Sequence, residues 1–431
     1  MPNSSSDIPK WYRQRRYLHF DRPVGVNRAT LIVESSKAVA RHAFYPLINY
    51  QIISKKVRRT GDGKELEYKE KTRDISYAAH ADAHIYSYYS ALLGEKYEQL
   101  LKTNGISGSV LAFRSLGLSN IEFAASAFEE IAKRQECAAV ALDVSGFFDN
   151  LDHELLKQEW CRLLDVVTLP QDHFNVFRSL TKFSKVDREK LYEVFNISPS
   201  NPKYERNRVC TPNEFRALVR GAGLIQENKK ECGIPQGSPI SAILSNIYMV
   251  DFDLKMNAYA KSVGGVYLRY CDDILLIVPI EERDKCAGVA AGSIGDIKLR
   301  LNTDKTVRIT FIRDSGILRS ERPLQYLGFT YDGQQILIRS AAFSRYSNHM
   351  KRGVRLAKAT SSRWNKIRAK RGADEKKIYR RKLYKKYSHL GRRNFVTYGF
   401  RAARIMDSSA IRGQLRPLWN RLLDEIEDHT R

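Results

Sequence analysis

The chain of 431 residues lacks any apolar run of about 18 residues, so no segment is expected to cross a membrane as a helix. Its six cysteines are scattered without a Cys-x-x-Cys pair, which argues against a zinc site or a disulfide framework. No internal repeat or low-complexity tract is present. The first residues, 1–7, lack the charged-then-apolar layout of a signal peptide. We therefore expect a cytoplasmic protein without a membrane partner.

The chain is also short of acidic residues, with 48 Asp and Glu against 73 Lys and Arg and a net charge of +25. Such a surplus favours a polyanionic partner, because phosphates release counterions when Lys and Arg bind them. An anionic membrane surface and simple solubility are the alternatives. Residues 340–431 hold 25 Lys and Arg against 7 Asp and Glu, which accounts for 18 of the 25 net charges.

Apolar positions with a helical period run through this basic C-terminal region, so it predicts a basic helical domain rather than a disordered tail. A solvated face is the common meaning of a charge run, but the concentration of charge here favours a nucleic-acid surface. The candidate nucleic-acid-binding residues are Lys376, Lys377, Arg380, Arg381, Lys385, Lys386, Arg392 and Arg393.

The N-terminal region is basic and aromatic, as in the segment 11–17. Aromatic rings among cations can stack on bases, and a solvated basic arm is an equally good interpretation. Residues 74–104 predict a helix from the spacing of their apolar residues. The mixed stretch 165–230 predicts a helical insertion.

Residues 137–143 form the clearest strand of the first half, and this strand ends in Asp143. An acid at the end of a buried strand lies at the mouth of a sheet, although it can also be a simple turn residue. Asp152 then provides an N-cap for a helix that runs to about Leu164.

Two adjacent acids, Asp272 and Asp273, interrupt a pair of apolar strands within 266–278. Alone, this pattern most often marks a polar hairpin tip. Repulsion between such close carboxylates is costly unless a cation neutralises it. Together with Asp143, the pair could hold two Mg²⁺ ions about 3.5–4 Å apart. Hard oxygen ligands suit Mg²⁺, with Mn²⁺ as a substitute.

Three further features favour nucleotide binding. The loop 233–239 places Gln236 and Gly237 before a helix that Ser238 would cap with Pro239 at its first position, although a cap alone would explain the loop. Arg114, at the end of a short predicted strand from Val110, could hold a triphosphate or be a surface charge. Lys305 could protonate a departing pyrophosphate as a general acid.

Five motifs now stand in order: Asp143-x-x-x-x-Phe148, Gly-Ile-Pro-Gln-Gly-Ser-Pro, Tyr-Cys-Asp-Asp, Leu-Asn-x-x-Lys-Thr and Tyr-Leu-Gly-Phe. This set resembles the palm of a reverse transcriptase over roughly residues 105–340. The resemblance implies an α+β, right-hand polymerase fold with a basic N-terminal region and helical fingers (1–104). A fingers–palm core with the helical insertion (105–325) and a primer grip with a helical thumb (326–431) would follow.

The resemblance also implies residue roles. Asp143, Asp272 and Asp273 would be the catalytic, metal-binding acids, with Val144 as a further metal and nucleotide contact. Gln236 and Gly237 would contact the incoming nucleotide. Tyr326, Leu327, Gly328 and Phe329 would form the primer grip. Phe148 falls where the family places a steric gate, and a ring against the sugar would exclude a 2′-hydroxyl, so dNTPs are the expected substrates.

Within this family, the segments 110–124 and 391–406 look like bacterial defence-associated reverse transcriptases of the unknown-group lineage, most like class 2 and related to retron and group II intron enzymes. That resemblance implies a bacterial enzyme that copies a structured non-coding RNA into DNA during antiphage defence. Template-independent or protein-primed DNA synthesis, a group II intron-like enzyme, and a degenerate palm that only binds RNA are the alternatives.

Overall fold

The structure, a computed structural model, describes residues 8–59, 66–134 and 136–428, with only the backbone described at 55–59 and 66–69. The residues 1–7 that bear on a signal peptide lie outside this range. The strands are β1 Leu47–Arg59, β2 Leu66–Tyr77, β3 Cys137–Asp143, β4 Ser184–Asp187, β5 Gln226–Glu227, β6 Val266–Tyr270, β7 Asp273–Val278, β8 Val307–Asp314, β9 Ile317–Ser320, β10 Leu324–Tyr326, β11 Phe329–Tyr331 and β12 Ile336–Ile338.

The α-helices lie before, between and after these strands, and the fold is therefore α+β, as predicted. They are α1 Val26–Val33, α2 Ser36–Ala40, α3 His80–Thr103, α4 Asn120–Arg134, α5 His153–Leu164, α6 Gln171–Thr181, α7 Arg188–Val194, α8 Pro212–Glu214, α9 Ser241–Tyr248, α10 Val250–Ser262, α11 Arg283–Asp296, α12 Ser340–Ala369, α13 Arg380–Tyr387, α14 Phe395–Ile405, α15 Ser409–Leu415 and α16 Leu418–Glu427. A π-helix, Phe215–Arg220, continues α8.

A five-stranded antiparallel sheet with the order β6-β7-β3-β8-β9 forms the centre of the fold. Alternate residues of a strand face opposite sides of a sheet. Ala138, Val140 and Leu142 of β3 accordingly enter one apolar core, with α3, α5, α9, α10 and α11. Cys137 and Ala139 enter a second core, with α4 and the C-terminal helices. Because β3 is covered on both faces, its side chains are small and apolar until Asp143.

A second sheet, with the order β2-β1-β4-β5, stands at the N-terminal side. The predicted helix over 74–104 is wrong at its start, because residues 74–77 pair with β1 as the end of β2 and α3 begins only at His80. The stretch 165–230 is likewise not only helical. Its short strand β4 pairs in parallel with residues 47–49 of β1, a contact that no local pattern reveals.

The aromatic N-terminal segment packs on α3 and is neither a solvated arm nor a free stacking platform. Trp11 meets Tyr88 edge-on at 5.7 Å, and Tyr12 stacks on His84 at 4.8 Å. The Tyr17 hydroxyl donates to the Ala78 carbonyl at 2.9 Å. These rings therefore serve the packing of the N-terminal segment against α3.

The third sheet, β10-β11-β12, connects the central sheet to the C-terminal helices. Its second hairpin turns at Asp332 and Gly333, with the Asp332 carboxylate accepting from the Gln334 and Gln335 amides at 2.8 and 2.7 Å. The basic region beyond residue 340 is mainly helical, as predicted. Lys376 and Lys377 lie in the non-helical segment between α12 and α13, and Arg392 and Arg393 in the one between α13 and α14.

Candidate active site

The structure brings the three predicted catalytic aspartates together at one end of the central sheet. Asp143 is the last residue of β3, Asp273 is the first residue of β7, and the two stand opposite each other in the antiparallel register. Asp272 precedes Asp273 in the turn from β6, and its carbonyl accepts from the Val144 amide at 3.3 Å. Three residues far apart in sequence thus form one acidic edge.

The charges at this edge repel one another. Partial burial, followed by repulsion from Asp272 and Asp143, raises the pKa of Asp273 to about 6. Asp273 remains open to solvent at the rim, so water screens part of this repulsion. The Lys305 ammonium contacts the Asp143 carboxylate and lowers the pKa of Asp273. The edge therefore already attracts a cation.

Backbone hydrogen bonds fix Lys305 next to β3. A short 3₁₀ turn, Thr303–Lys305, follows Asn302, whose amide donates to the Asp143 carbonyl at 2.7 Å. The Ser145 amide donates to the Arg300 carbonyl at 2.9 Å. The predicted Leu-Asn-x-x-Lys-Thr motif therefore runs directly beside the end of β3.

A cleft of about 1040 Å³ opens in front of these residues. Its lining includes Asp143, Val144, Phe148, Gln236, Asp272 and Lys305 from the sequence-based predictions. Phe148 lies in the 3₁₀ turn Phe147–Asp149, and its carbonyl accepts from the Ile234 amide at 2.9 Å. The turn that carries Phe148 is thus attached to the loop that carries Gln236.

The loop 233–239 also contacts the end of β2. The Gln236 carbonyl accepts from the Ser76 amide at 2.8 Å. Gly237 has a φ of 104°, and a Cβ there would lie 2.6 Å from the Ser76 carbonyl oxygen, so only glycine fits. Gly237 shapes the backbone of the loop and does not line the cleft within the part of the chain described.

The cap predicted for the following helix is wrong. Helix α9 begins at Ser241, after Ile240, and the Ser238 hydroxyl is buried without a hydrogen-bond partner among the described residues. The Ser241 hydroxyl instead donates to the Pro235 carbonyl at 2.6 Å. A tight turn at 238–241 therefore delays the helix by two residues.

The structure does not place Arg114 in the cleft. Its guanidinium makes two bonds to the Glu98 carboxylate, at 2.7 and 2.6 Å, and further bonds to the Ser107 and Val110 carbonyls at 2.5 and 2.6 Å. Residues 110–114 make only an isolated bridge at Val110 instead of the predicted strand. Arg114 thus holds its own loop, and we correct its predicted contact with nucleotide.

Cations that the sequence did not single out line the cleft instead: Lys71, Arg73, Lys185 and Lys230. Lys71 and Arg73 lie on β2, a strand that was not predicted from the sequence. Lys185 lies on β4 and is 3.4 Å from Asp74. The regular alternation of Lys71 and Arg73 along a strand was the signal available in the sequence.

The predicted primer grip is a tight hairpin turn. Tyr326 ends β10, Phe329 begins β11, and the residues between them, Leu327 and Gly328, both have positive φ values of 45° and 96°. Two positive φ values fit the twist of a hairpin, but they strain a leucine. The Asn120 side-chain Nδ2 stabilises this turn by donating to the Leu327 carbonyl at 2.9 Å.

All eight predicted nucleic-acid-binding cations of the C-terminal region are exposed. Helix α13, which carries four of them, is anchored by two buried residues, Leu383 and Tyr387. Arg380 lies 3.6 Å from Glu427. Trp364 and Tyr379 add exposed rings, 51% and 60% accessible, on the same basic region.

No cluster of three or more His, Cys, Asp or Glu side chains with metal-binding geometry occurs within 8–59, 66–134 and 136–428. In the same residues, no helix is both long and apolar enough to span a membrane.

The profile of the family described as "Reverse transcriptase (RNA-dependent DNA polymerase)" matches residues 93–331, more than half of the chain. Protein YkfC of Escherichia coli (strain K12) is 32% identical over an alignment of 125 residues, and the match covers 21% of this chain and 32% of that protein. The chain thus spans about a third of this curated relative.

Solved structures of two yeast telomerases are also similar. The apo telomerase of Candida tropicalis has a TM-score of 0.43 and 13% identity, with 70% of this chain and 51% of that chain covered. The Candida albicans telomerase in complex with a TWJ fragment of telomeric RNA has a TM-score of 0.40 and 11% identity, with 89% and 66% covered.

Proposed function

The chain belongs to the reverse transcriptase family, and on that premise we propose that it is an RNA-directed DNA polymerase that copies a structured RNA into DNA. Family membership also confirms the α+β, right-hand polymerase fold that the motifs predicted. The observation that carries the proposal is the register of β3 and β7, which sets Asp143 opposite Asp273 with Asp272 beside them.

The acidic edge suits Mg²⁺ by its chemistry. Asp143, Asp272 and Asp273 offer hard oxygen ligands. Their mutual repulsion, which adds to partial burial in raising the pKa of Asp273, is relieved by any cation that binds between them. Val144 can add only backbone groups, because its side chain is apolar. We propose that these residues hold two Mg²⁺ ions, for which Mn²⁺ can substitute. Bound there, the ions would activate the primer hydroxyl and neutralise the leaving pyrophosphate.

The cleft provides the remaining groups for an incoming dNTP. Phe148 would pack against the sugar and leave no room for a 2′-hydroxyl, while Gln236 would contact the nucleotide from the facing loop. Lys71, Arg73 and Lys185 are the cations available for the triphosphate, a role that replaces the one predicted for Arg114. Lys305 Nζ, which contacts Asp143, would transfer a proton to the departing pyrophosphate.

The basic C-terminal helices would bind the template and the growing duplex. Eight exposed cations on one region, with neighbouring exposed rings, match the phosphates and unpaired bases of RNA. We further propose that the template is a structured non-coding RNA, copied in the bacterial cytoplasm as part of antiphage defence. The motif resemblance at 110–124 and 391–406 supports this proposal.

A purified-protein assay separates the proposed activity from its alternatives. Incubation with an RNA template, a primer, dNTPs and Mg²⁺ should give DNA whose sequence is complementary to the template. DNA of unrelated sequence made without template would favour template-independent synthesis, and DNA covalently attached to a Tyr or Ser would favour protein priming. RNA binding without incorporation on any template would favour a degenerate palm.

A further inference from the structure

A completely buried arginine lies directly beneath the acidic turn. Arg269, two residues before Cys271, has no exposed surface. Its Nε and Nη2 donate to the two carboxylate oxygens of Asp253 at 2.6 and 2.5 Å. Its Nη1 donates to the Asn246 side-chain oxygen at 3.1 Å and to the Cys271 carbonyl at 3.2 Å. A single guanidinium therefore connects helix α10, helix α9 and the catalytic turn.

The residues that hold Arg269 also form hydrogen bonds with other groups. The Asp253 carboxylate accepts a third bond, from the Tyr267 hydroxyl at 2.6 Å. Asn246 uses its amide nitrogen to donate to the Ala112 carbonyl at 3.0 Å. Apolar residues of similar volume often replace a buried ion pair without loss of stability. Stability alone therefore gives no reason for a charged pair here, whereas the placement of the turn does.

The carbonyl that Arg269 holds belongs to a strained residue. Cys271 has a φ of 61°, in the left-handed region that non-glycine residues rarely adopt. Asp272 and Asp273 follow immediately, so the direction of the chain at Cys271 decides where both carboxylates stand. A hydrogen bond to the Cys271 carbonyl from a rigid guanidinium favours this one conformation of the turn.

The same guanidinium also contacts the helix behind the Gln236 loop. Asn246 lies in α9, the helix that follows the loop with Gln236. A shift of Arg269 would therefore move the acidic turn and the helix behind this loop together.

We propose that Arg269, held by Asp253, is a positioning residue that fixes Cys271 in its left-handed conformation and thereby sets the metal affinity of Asp272 and Asp273. The proposal rests on the proposed polymerase function for its kinetic consequences, but its claim about the turn does not depend on activity. Arg269 is buried and does not line the cleft, so it acts through the residues that it holds, above all the Cys271 carbonyl.

Three variants in the full-length protein test this role. Arg269→Lys keeps one positive charge but loses the forked set of donors. Arg269→Met with Asp253→Leu removes both charges at similar volume. The matched control is Asp251→Asn on the same helix, which breaks the exposed contact with Arg162.

Hydrogen exchange of the backbone amides in 270–274 measures the turn directly. We expect exchange to be about tenfold faster in both Arg269 variants than in the control, while amides in the middle of β3 and β7 keep their protection. Unchanged exchange in the turn would overturn the proposal even if the protein had no polymerase activity. A polymerase-inactive wild type with a turn that loosens in the variants would instead overturn only the proposed function.

Metal binding and kinetics provide the second measurement. The Mg²⁺ concentration for half-maximal incorporation should rise about tenfold, and kcat should fall about tenfold to a hundredfold with little change in the KM for primer–template. The apolar double variant should still unfold cooperatively at a similar temperature. If the folded double variant needed the same Mg²⁺ concentration for half-maximal incorporation as the wild type, the proposal would be contradicted.

A second substitution, at residue 271, gives the most specific test of the proposal. This test stays informative if the apolar double variant fails to fold. Glycine adopts positive φ without strain. The loss of activity caused by Arg269→Lys should therefore be at least about threefold smaller in a Cys271→Gly background than with Cys271 present. Equal losses in the two backgrounds would show that Arg269 does not act through the conformation of residue 271.

Discussion

The acidic edge of the central sheet and the basic C-terminal helices differ in how they fix their functional groups. At the edge, Asp143 and Asp273 are held by strand register, and Asp272 by a bond from the Val144 amide. On the helices, eight cations lie exposed on α13 and its flanks. The edge depends on a few exact positions, whereas the helices depend on total charge. Single substitutions should therefore abolish the first function and only weaken the second.

The largest effect is expected at Asp143. Asp143→Asn preserves the side-chain volume but removes the charge that faces Asp273 and pairs with Lys305. We expect incorporation of dNTPs to fall by about a thousandfold or more, because groups that act as a unit fail together. Primer extension under single-turnover conditions measures this. Asp296→Asn, at an exposed ion pair with Lys255, is the control and should keep near wild-type activity.

A smaller effect is expected on substrate choice at Phe148. Phe148→Ala would open space beside the sugar, so the preference for dNTPs over rNTPs should fall by about tenfold to a hundredfold. The measurement is the ratio of kcat/KM for a matched dNTP and rNTP. Phe174→Leu, on α6 outside the cleft, serves as the control. If Phe148→Ala kept the wild-type preference for dNTPs over rNTPs, the sugar of the nucleotide would have to bind away from residue 148.

The charge of the helices should act in a graded way. Replacing Lys376, Lys377, Arg380 and Arg381 by Ala should weaken RNA binding about tenfold at about 0.15 M salt, and the slope of log affinity against log salt should drop by about 0.7–0.9 for each phosphate that is no longer neutralised. Fluorescence titration at several salt concentrations measures both. The control replaces four exposed lysines elsewhere by Ala: Lys37, Lys96, Lys102 and Lys133. If RNA affinity and the salt slope fell equally in this control, the C-terminal cations would be no more important for RNA binding than the rest of the surface.

The smallest effect is the pH dependence of metal binding at the edge. Asp273 has a raised pKa of about 6 in the metal-free protein, so it is mostly ionised at about pH 7.5 and mostly protonated at about pH 5.5. The apparent Mg²⁺ affinity, measured by titration at both values, should therefore fall about fourfold from the higher pH to the lower.

The same shift has a consequence for folding with the opposite sign. An acid whose pKa is raised in the folded state favours folding below its unfolded pKa, and this contribution is lost as the pH rises through about 6. Thermal unfolding of metal-free protein should show this trend, and Asp273→Asn should flatten it. A pH-independent difference between the two proteins would contradict the charge crowding at this edge.

The sequence predicted the elements whose pattern is local. β3, the hairpin of β6 and β7, and α5 with its Asp152 cap all follow from apolar periodicity and capping residues. The meeting of Asp143 with Asp273 came from the motif resemblance, since no local pattern specifies which strands pair.

Features that depend on distant partners escaped prediction for the same reason. Arg114 looked free because Glu98, which pairs with it, is 16 residues away on α3. Ser238 looked like a cap because the bond from Ser241 to Pro235 is not encoded in a capping pattern. Arg269 carried no signal in the sequence, because its role depends on Asp253 and on the strained backbone of Cys271.

The three aspartates at the sheet edge are expected to perform RNA-templated DNA synthesis. The most direct measurement is primer extension on an RNA of arbitrary sequence, with the product sequenced, by the wild type and by a variant carrying Asp272→Asn with Asp273→Asn. We predict that the wild type makes complementary DNA and that the variant binds the primer–template but makes none. Complementary DNA from the variant at the wild-type rate would contradict the claim.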